Sequence, residues 1–211
     1  MTELLKLKYF YIIVLSFATL TIVTSNKISA DQQIKIIADE IRVNKIDSTV
    51  EASGNAEAVE EKGSKLKSEF ILYDEEKAQI SAEGNVVFND VEGNTYYFDN
   101  LETDDQMINL NGNAVRARLD DGSRIVGSKI LKRENISSLE NAEYTPCLEN
   151  DYLIENCPGW KLKAKKIFQD ENTKTVHYDH ARIHLFNIPL LYLPYFSHPD
   201  PSVKKRSGFL M

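Results

Sequence analysis

The chain has 211 residues, with 32 acidic against 25 basic side chains and a net charge of −7 at pH 7. Residues 31–159 carry 27 acidic and 13 basic side chains, which argues against nucleic acid as a partner because its phosphates attract basic surfaces. Residues 160–211 carry nine basic and four acidic side chains, a net of +5, which favours anionic lipid head groups or an acidic partner.

The first thirty residues are typical of a secretory signal peptide. Lys6 and Lys8 precede the uncharged run Tyr9–Val23, and the segment ends in the small residue Ala30. The alternative is an uncleaved membrane anchor, because the run without charge extends to Asn26. In either case we expect the rest of the chain to lie outside the cytoplasm, with residues 1–30 as a signal peptide.

Three Gly-Asn-apolar triplets recur at spacings of 30 and 28 residues, namely Gly54-Asn55-Ala56, Gly84-Asn85-Val86 and Gly112-Asn113-Ala114. Apolar residues around the first two alternate with polar ones at a period of two: Val50, Ala52, Ala56 and Ala58, then Ile80, Ala82, Val86 and Phe88. This alternation predicts strands with one buried face. Around the third triplet the phase slips between Leu110 and Val115, and a β-bulge at Gly112 would return both sets to one face.

Turn signals containing glycine separate these strands at residues 61–64, 91–94 and 120–123. Each unit of about thirty residues therefore supplies about two strands, and it has to stack on its neighbours to bury its apolar face. We expect an all-β fold, an elongated antiparallel β-jellyroll or open stack of repeats, with residues 31–188 as one domain. A closed sandwich, in which every apolar face is core, is the alternative.

Cys147 and Cys157 are the two cysteines of the chain. In an exported protein a close pair favours a disulfide over a metal site, which requires more ligands. We expect a local disulfide that fixes a turn, and the alternative is that both thiols stay reduced.

Proline and aromatic residues dominate the C-terminal sequence Ile188-Pro189-Leu190-Leu191-Tyr192-Leu193-Pro194-Tyr195-Phe196-Ser197. Together with the repeated triplets, and with Tyr144-Thr145-Pro146-Cys147 before Trp160, this sequence resembles the organic-solvent-tolerance (OstA-like) family. That domain is shared by periplasmic bridge proteins of lipopolysaccharide transport and by outer-membrane lipopolysaccharide-assembly proteins. The proline-aromatic segment resembles the junction, here residues 189–211, that leads into the barrel of the assembly proteins. Only 23 residues follow Ile188, too few for a barrel of ~8 strands, so we expect the barrel to be absent.

The resemblance implies a non-enzymatic protein, without metal or cofactor, that guides lipid A acyl chains of lipopolysaccharide along an apolar groove. By this resemblance the inward-facing residues that line the groove are Val50, Ala52, Phe70, Leu72, Ile80, Val86, Phe88, Ile108, Leu110, Val115 and Leu119. The face is uncertain near Phe70, since Ile71 and Tyr73 form a rival apolar set. Implied partners are lipopolysaccharide, a periplasmic bridge protein paired with the edge strand Ile34–Val43, and a separately encoded barrel with its lipoprotein plug. The implied location is the periplasm, in association with the outer membrane.

Two other function classes were weighed. One is a soluble or inner-membrane-anchored bridge protein of the same transport system, and the other is a periplasmic hydrolase whose site the sequence does not reveal. His177, His180 and His184 suggest a metal site only weakly, because on a strand only the last two share a face. No GxSxG nucleophile motif occurs in the sequence, so no enzyme is expected.

Overall fold

A computed structural model describes residues 34–146 and 159–199. Residues 1–31 and 32–211 form separate units, and every described residue belongs to the second. The predicted signal peptide, Cys147, Cys157 and the last part of the predicted junction lie outside the described residues. The described residues contain no helix that is long and apolar enough to cross a membrane.

The described residues form one antiparallel sheet, which confirms the all-β prediction. Its strands are β1 (Lys35–Ile37), β2 (Glu40–Asn44), β3 (Thr49–Val59), β4 (Lys65–Asp74), β5 (Gln79–Asn89), β6 (Thr95–Asp104), β7 (Leu110–Arg118), β8 (Arg124–Arg133), β9 (Ile136–Thr145), β10 (Trp160–Asp170), β11 (Thr175–Leu185) and β12 (Ile188–Pro199). From β3 to β12 each strand pairs with the next in chain order, while β1 and β2 both pair with β3. The sheet therefore grows by successive addition of neighbouring strands, as a stack of repeats requires.

Near the middle of β4 and of each strand from β6 to β11, the inward-facing residues change their phase between even and odd positions. In β3 and β5 a Gly-Asn pair lies at the same level, and the inward-facing residues stay on even positions on both sides of it. In β4 the buried residues are Leu66 and Ser68 on one side of this point and Ile71 on the other; in β6 they are Phe98 and then Leu101. We call this band of residues the slip line; it comprises 54–55, 69–70, 84–85, 99–100, 113–114, 128–129, 140–141, 165–166 and 179–180. Irregularities of this kind bend a strand, so an aligned row of them gives the whole sheet a fold across its strands.

The odd-numbered strands from β3 to β11 each place a non-glycine residue in the left-handed backbone region at the slip line. These residues are Asn55, Asn85, Ala114, Asn141 and His180, with φ between 46° and 54°. In β3 and β5 the glycine of the triplet also has positive φ, and the pairing register shifts by one residue. The Gly-Asn triplet therefore marks the bend of the strand, whereas the turns lie at the strand ends.

The predicted β-bulge at Gly112 is wrong, although Leu110 and Val115 do share the buried face as expected. The left-handed residue in β7 is Ala114, and the registers of β7 with β6 and β8 run without a shift. No register shift is needed because β6, β7 and β8 all change the phase of their inward-facing residues at the same level of the sheet. Gly112 is required for space, since a Cβ atom there would lie 2.6 Å from Cδ1 of Phe98.

The predicted turns are confirmed at one end of the sheet. Each is closed by a hydrogen bond between backbone groups: Glu60 N–H to Ser64 O at 3.0 Å, Asp90 N–H to Asn94 O at 3.2 Å, and Leu119 N–H to Ser123 O at 2.9 Å. At the far end, the sheet continues past the predicted boundary at residue 188, because β12 pairs with β11 along its length. β12 contains Pro189, Pro194 and Pro199, and its position as the last strand of the described sheet fits the restriction of proline to edge strands.

The core lies on the inner face. In β3 this face is built from alanines, with Ala52, Ala56 and Ala58 fully buried, and Leu66 and Ile71 of β4 pack beside them. Small side chains allow close approach of packed layers, so we ascribe the closed packing at this end of the sheet to the alanines. From β5 onwards the inner face carries larger side chains, among them Phe88, Phe98 and Leu110.

Candidate functional site

A cavity of about 700 Å³ opens in the inner face, with a lining that runs from the turn between β3 and β4 to β10. Both halves of the bent sheet contribute to it: Phe88 and Ile125 lie on the side of the glycine turns, whereas Ile130 and Ile167 lie beyond the slip line. Ile125 and Ile130 belong to one strand and flank its bend, yet both line the same space. The sheet is therefore folded over along the slip line, and the cavity lies inside the fold.

The cavity has an apolar wall and a charged rim. Phe88, Leu110 and Val115 form part of the wall and are at most 4% exposed. Lys62, Glu92 and the pair Asp120 and Asp121 lie in the turns at its edge, and their side chains are exposed. The wall suits a hydrocarbon chain, and the rim leaves a polar group attached to that chain in contact with water.

Tyr96 connects the apolar wall to the rim. Its ring lies between those of Phe88 and Phe98, with centroid distances of 5.9 and 6.3 Å. Burial raises the pKa of the Tyr96 hydroxyl, and the neighbouring carboxylate of Asp90 raises it further. The hydroxyl therefore stays protonated and donates to Oδ2 of Asp90 at 3.3 Å.

Five of the predicted groove residues line this cavity: Phe88, Ile108, Leu110, Val115 and Leu119. Four others, Val50, Ala52, Ile80 and Val86, lie on the same inner face but outside the cavity lining. Of these four, Ala52, Ile80 and Val86 are at most 1% exposed and belong to the closed part of the core. The inner face is thus closed near β3 and β4 and open farther along the sheet.

The prediction that Phe70 and Leu72 point inwards is wrong. Ile71 pairs with Ala52 and Ala82, which are buried, so Ile71 and not its neighbours faces the core. The cause is the slip in β4 at residues 69–70, which transfers the inner face from even to odd positions. Tyr73 follows Ile71 on this face, and the rival apolar set is the correct one.

Several cavity residues were not among the predicted groove residues. Tyr96, Ile125, Ile130, Leu139 and Ile167 all line the cavity. They were missed because their strands lack the Gly-Asn triplet. The signal that could have located them is a weaker repeat: Asn141-Ala142 and His180-Ala181 occupy the same bend position without a preceding glycine.

Three of the four histidines contact tyrosines of the β11–β12 hairpin, whereas His184 lies beside the backbone carbonyl of Asn187. His177 Nδ1 lies 2.6 Å from the Tyr195 hydroxyl, His198 Nε2 lies 2.9 Å from the Tyr178 hydroxyl, and His180 Nδ1 contacts the Tyr192 hydroxyl. In residues 34–146 and 159–199 no three His, Cys, Asp or Glu side chains are grouped so that they could hold a metal ion.

No protein-family model matches the chain. It is similar to the LPS-assembly protein LptD of several bacteria, and these similarities confirm the family resemblance stated from the sequence. Identity is 26% with the protein of Vibrio cholerae, over 85% of this chain and 22% of the relative. It is 32% with that of Shewanella denitrificans, over 65% and 17%, and 24% with that of Idiomarina loihiensis, over 70% and 19%. The chain spans about a fifth of the length of the curated relatives it matches.

Among solved structures, the chain is similar to LptH of Pseudomonas aeruginosa, described as the LptA homologous periplasmic component of the conserved lipopolysaccharide transport device. Sequence identity is 14% and the TM-score is 0.29, with 66% of this chain and 77% of that chain covered.

Proposed function

We propose that this chain guides acyl chains of lipopolysaccharide through its folded sheet, as a non-enzymatic component of lipopolysaccharide assembly in the periplasm beside the outer membrane. The observation that carries the proposal is the cavity enclosed by both halves of the sheet, with its apolar wall and charged rim. The similarity to LptD proteins over most of the chain supports the same assignment.

The energetic requirement for such a guide is large. Each methylene group exposed to water costs ~0.8 kcal/mol, so one twelve-carbon acyl chain costs about 9 kcal/mol. A cavity of about 700 Å³ lies within the ~300–1,000 Å³ typical of small-molecule sites. It removes an acyl chain from water, and the opening beside Lys62 and Glu92 lets a sugar head group remain hydrated.

The proposal includes a periplasmic bridge protein that delivers lipid at the N-terminal edge of the sheet. In the described part of the chain, β1 and β2 pair only with β3, so their other edges are available for strand addition. Ile37, Ile41 and Val43 are 47 to 62% exposed along this edge. The proposal also retains the export signal in residues 1–30, the junction in residues 189–211, and an association with an outer-membrane barrel and its lipoprotein plug.

Filling the cavity tests the proposal. Ile130 is half-buried and lines the cavity, whereas the adjacent Leu131 is 37% exposed and is absent from the cavity wall. We expect Ile130→Trp to weaken the binding of purified lipopolysaccharide about tenfold or more, because the indole occupies the space of an acyl chain. Leu131→Trp, the matched control, should leave the affinity unchanged.

Affinity is measured by titration of lipopolysaccharide into each variant, and circular dichroism melting verifies that both variants are folded. Folded variants that bind lipopolysaccharide equally well would show that the cavity is not where the lipid binds.

A further inference from the structure

Glu60 lines the cavity, and one oxygen of its buried carboxyl group has no hydrogen-bond partner among the described residues. It follows Ala56 and Ala58 on the inner face of β3, lines the cavity, and is 3% exposed. Its backbone is fully used by the turn, where its N–H donates to Ser64 O and its carbonyl accepts from Gly63 N–H, both at 3.0 Å. Its side-chain atom Oε1 has no hydrogen-bond partner among the described residues. A buried acceptor without a donor is costly, so it requires an explanation.

The neighbouring repeats show that a turn of this kind does not require a carboxyl oxygen without a partner. Asp90 occupies the equivalent turn position after β5, and both of its carboxyl oxygens have partners. Oδ1 accepts from the backbone N–H groups of Glu92 and Asn94 at 3.0 and 2.9 Å, and Oδ2 accepts from Asn94 Nδ2 at 2.8 Å. After β7 the equivalent residue is Leu119, which carries no polar group. Of these two carboxyl groups, Glu60 is therefore the one that has an oxygen without a partner among the described residues.

The surroundings of Glu60 determine the chemistry of that molecule. The cavity beside it is walled by apolar residues such as Phe88, so the body of the ligand is apolar. An unmodified hydrocarbon chain would leave Oε1 unsatisfied, whereas an O–H or amide N–H group on the chain would donate to it. Sites with a buried acceptor reject analogues that lack the matching donor.

We propose that Glu60 is a specificity-determining residue of the cavity, which selects apolar chains that carry a hydroxyl or amide donor over plain hydrocarbon chains. This inference rests on the proposed function, because it assumes that the cavity holds an acyl chain. It adds the substrate class: acyl chains with a hydrogen-bond donor near the end that lies beside the 60–64 turn.

Two probes, the second of which has a methyl group in place of the hydroxyl hydrogen of the first, test the inference. Displacement of an apolar fluorescent dye from the full-length chain gives the affinities of 1-dodecanol and of its methyl ether. The ether is the more apolar probe, so a cavity without an acceptor should prefer it. We expect the native chain to bind dodecanol about tenfold more tightly, since one additional hydrogen bond is formed.

Variants assign this preference to Glu60. Glu60→Leu should reverse it in favour of the ether, and Glu60→Gln, which keeps an oxygen acceptor in the same volume, should retain a reduced preference. Glu61→Gln, an exposed neighbour in the same turn, should behave as the native chain. If the native chain binds both probes equally or prefers the ether, the role of Glu60 is overturned while the lipid cavity stands. If the native chain binds neither probe, the proposed function itself fails.

Discussion

Asparagine occupies three of the bends, in β3, β5 and β9, and combines two properties there. Asn55, Asn85 and Asn141 adopt a left-handed backbone, which asparagine tolerates better than most residues. Each side-chain amide also donates to a side chain of the preceding segment at the same level. The Nδ2 atom of Asn55 lies 2.8 Å from Oδ2 of Asp39, and that of Asn141 lies 2.9 Å from Oγ of Ser128. The bend is therefore fixed by a backbone conformation and by a cross-strand hydrogen bond.

Gly112 performs a different task, and a substitution tests it. A Cβ atom there would lie 2.6 Å from Cδ1 of Phe98, so we expect Gly112→Ala to destabilise the fold by about 1–3 kcal/mol through overpacking. Urea denaturation measures the loss. Arg116→Ala, an exposed change in the same strand, should stay within about 0.5 kcal/mol of the native chain. A neutral Gly112→Ala would show that Phe98 can move aside, and the packing argument would then fail.

Local alternation allowed part of the site to be predicted. The inner face around Ile80, Val86 and Phe88 follows from a period of two near a recognisable triplet. The phase change of β4 at Glu69–Phe70 could not be predicted in this way, because β4 has no Gly-Asn triplet. It lies opposite the additional residue that each of its neighbours, β3 and β5, has at this level. The far wall of the cavity depends on the fold of the sheet as a whole, for which the sequence carries only the weaker signal of Asn141-Ala142 and His180-Ala181.

At the scale of elements, hydrogen bonds between successive turns hold the strand ends in register. Asn94 Nδ2 donates to Oδ2 of Asp90 within its own turn, while its Oδ1 accepts from the backbone N–H of Asp120 in the next turn at 3.0 Å. At the opposite end Asn109 Oδ1 accepts from the N–H of Glu134 at 2.9 Å. One side chain thus joins two hairpins, and the stack is reinforced at both ends of the strands.

Removal of one such link should have a local effect. We expect Asn94→Ala to cost about 1–2 kcal/mol, since two hydrogen bonds are lost, and to accelerate amide hydrogen exchange at Asp120. Glu92→Ala removes an exposed side chain from the same turn and should leave that exchange rate unchanged. Unaltered exchange at Asp120 in the Asn94 variant would mean that the link does not hold the turns together.

At the scale of the whole described region, residues 34–146 and 159–199 form a single sheet that folds over a cavity. The slip line bends each strand, the alanines of β3 close one end, and the larger residues from β5 onwards leave space between the two halves. An acyl chain in this space would contact residues from both sides of the slip line. Contact with both sides at once would distinguish a folded-over sheet from a flat sheet that binds lipid on one surface.

Photo-crosslinking measures that contact most directly. A photoreactive amino acid is placed at Ile125 or at Ile167, which line the cavity from opposite sides of the slip line. The adjacent positions Val126 and Lys166, which are exposed and are not part of the cavity wall, serve as matched controls. We expect lipopolysaccharide to be captured at Ile125 and at Ile167 and at neither control. Capture at the controls alone, or no capture at either cavity position in a folded chain, would contradict the account.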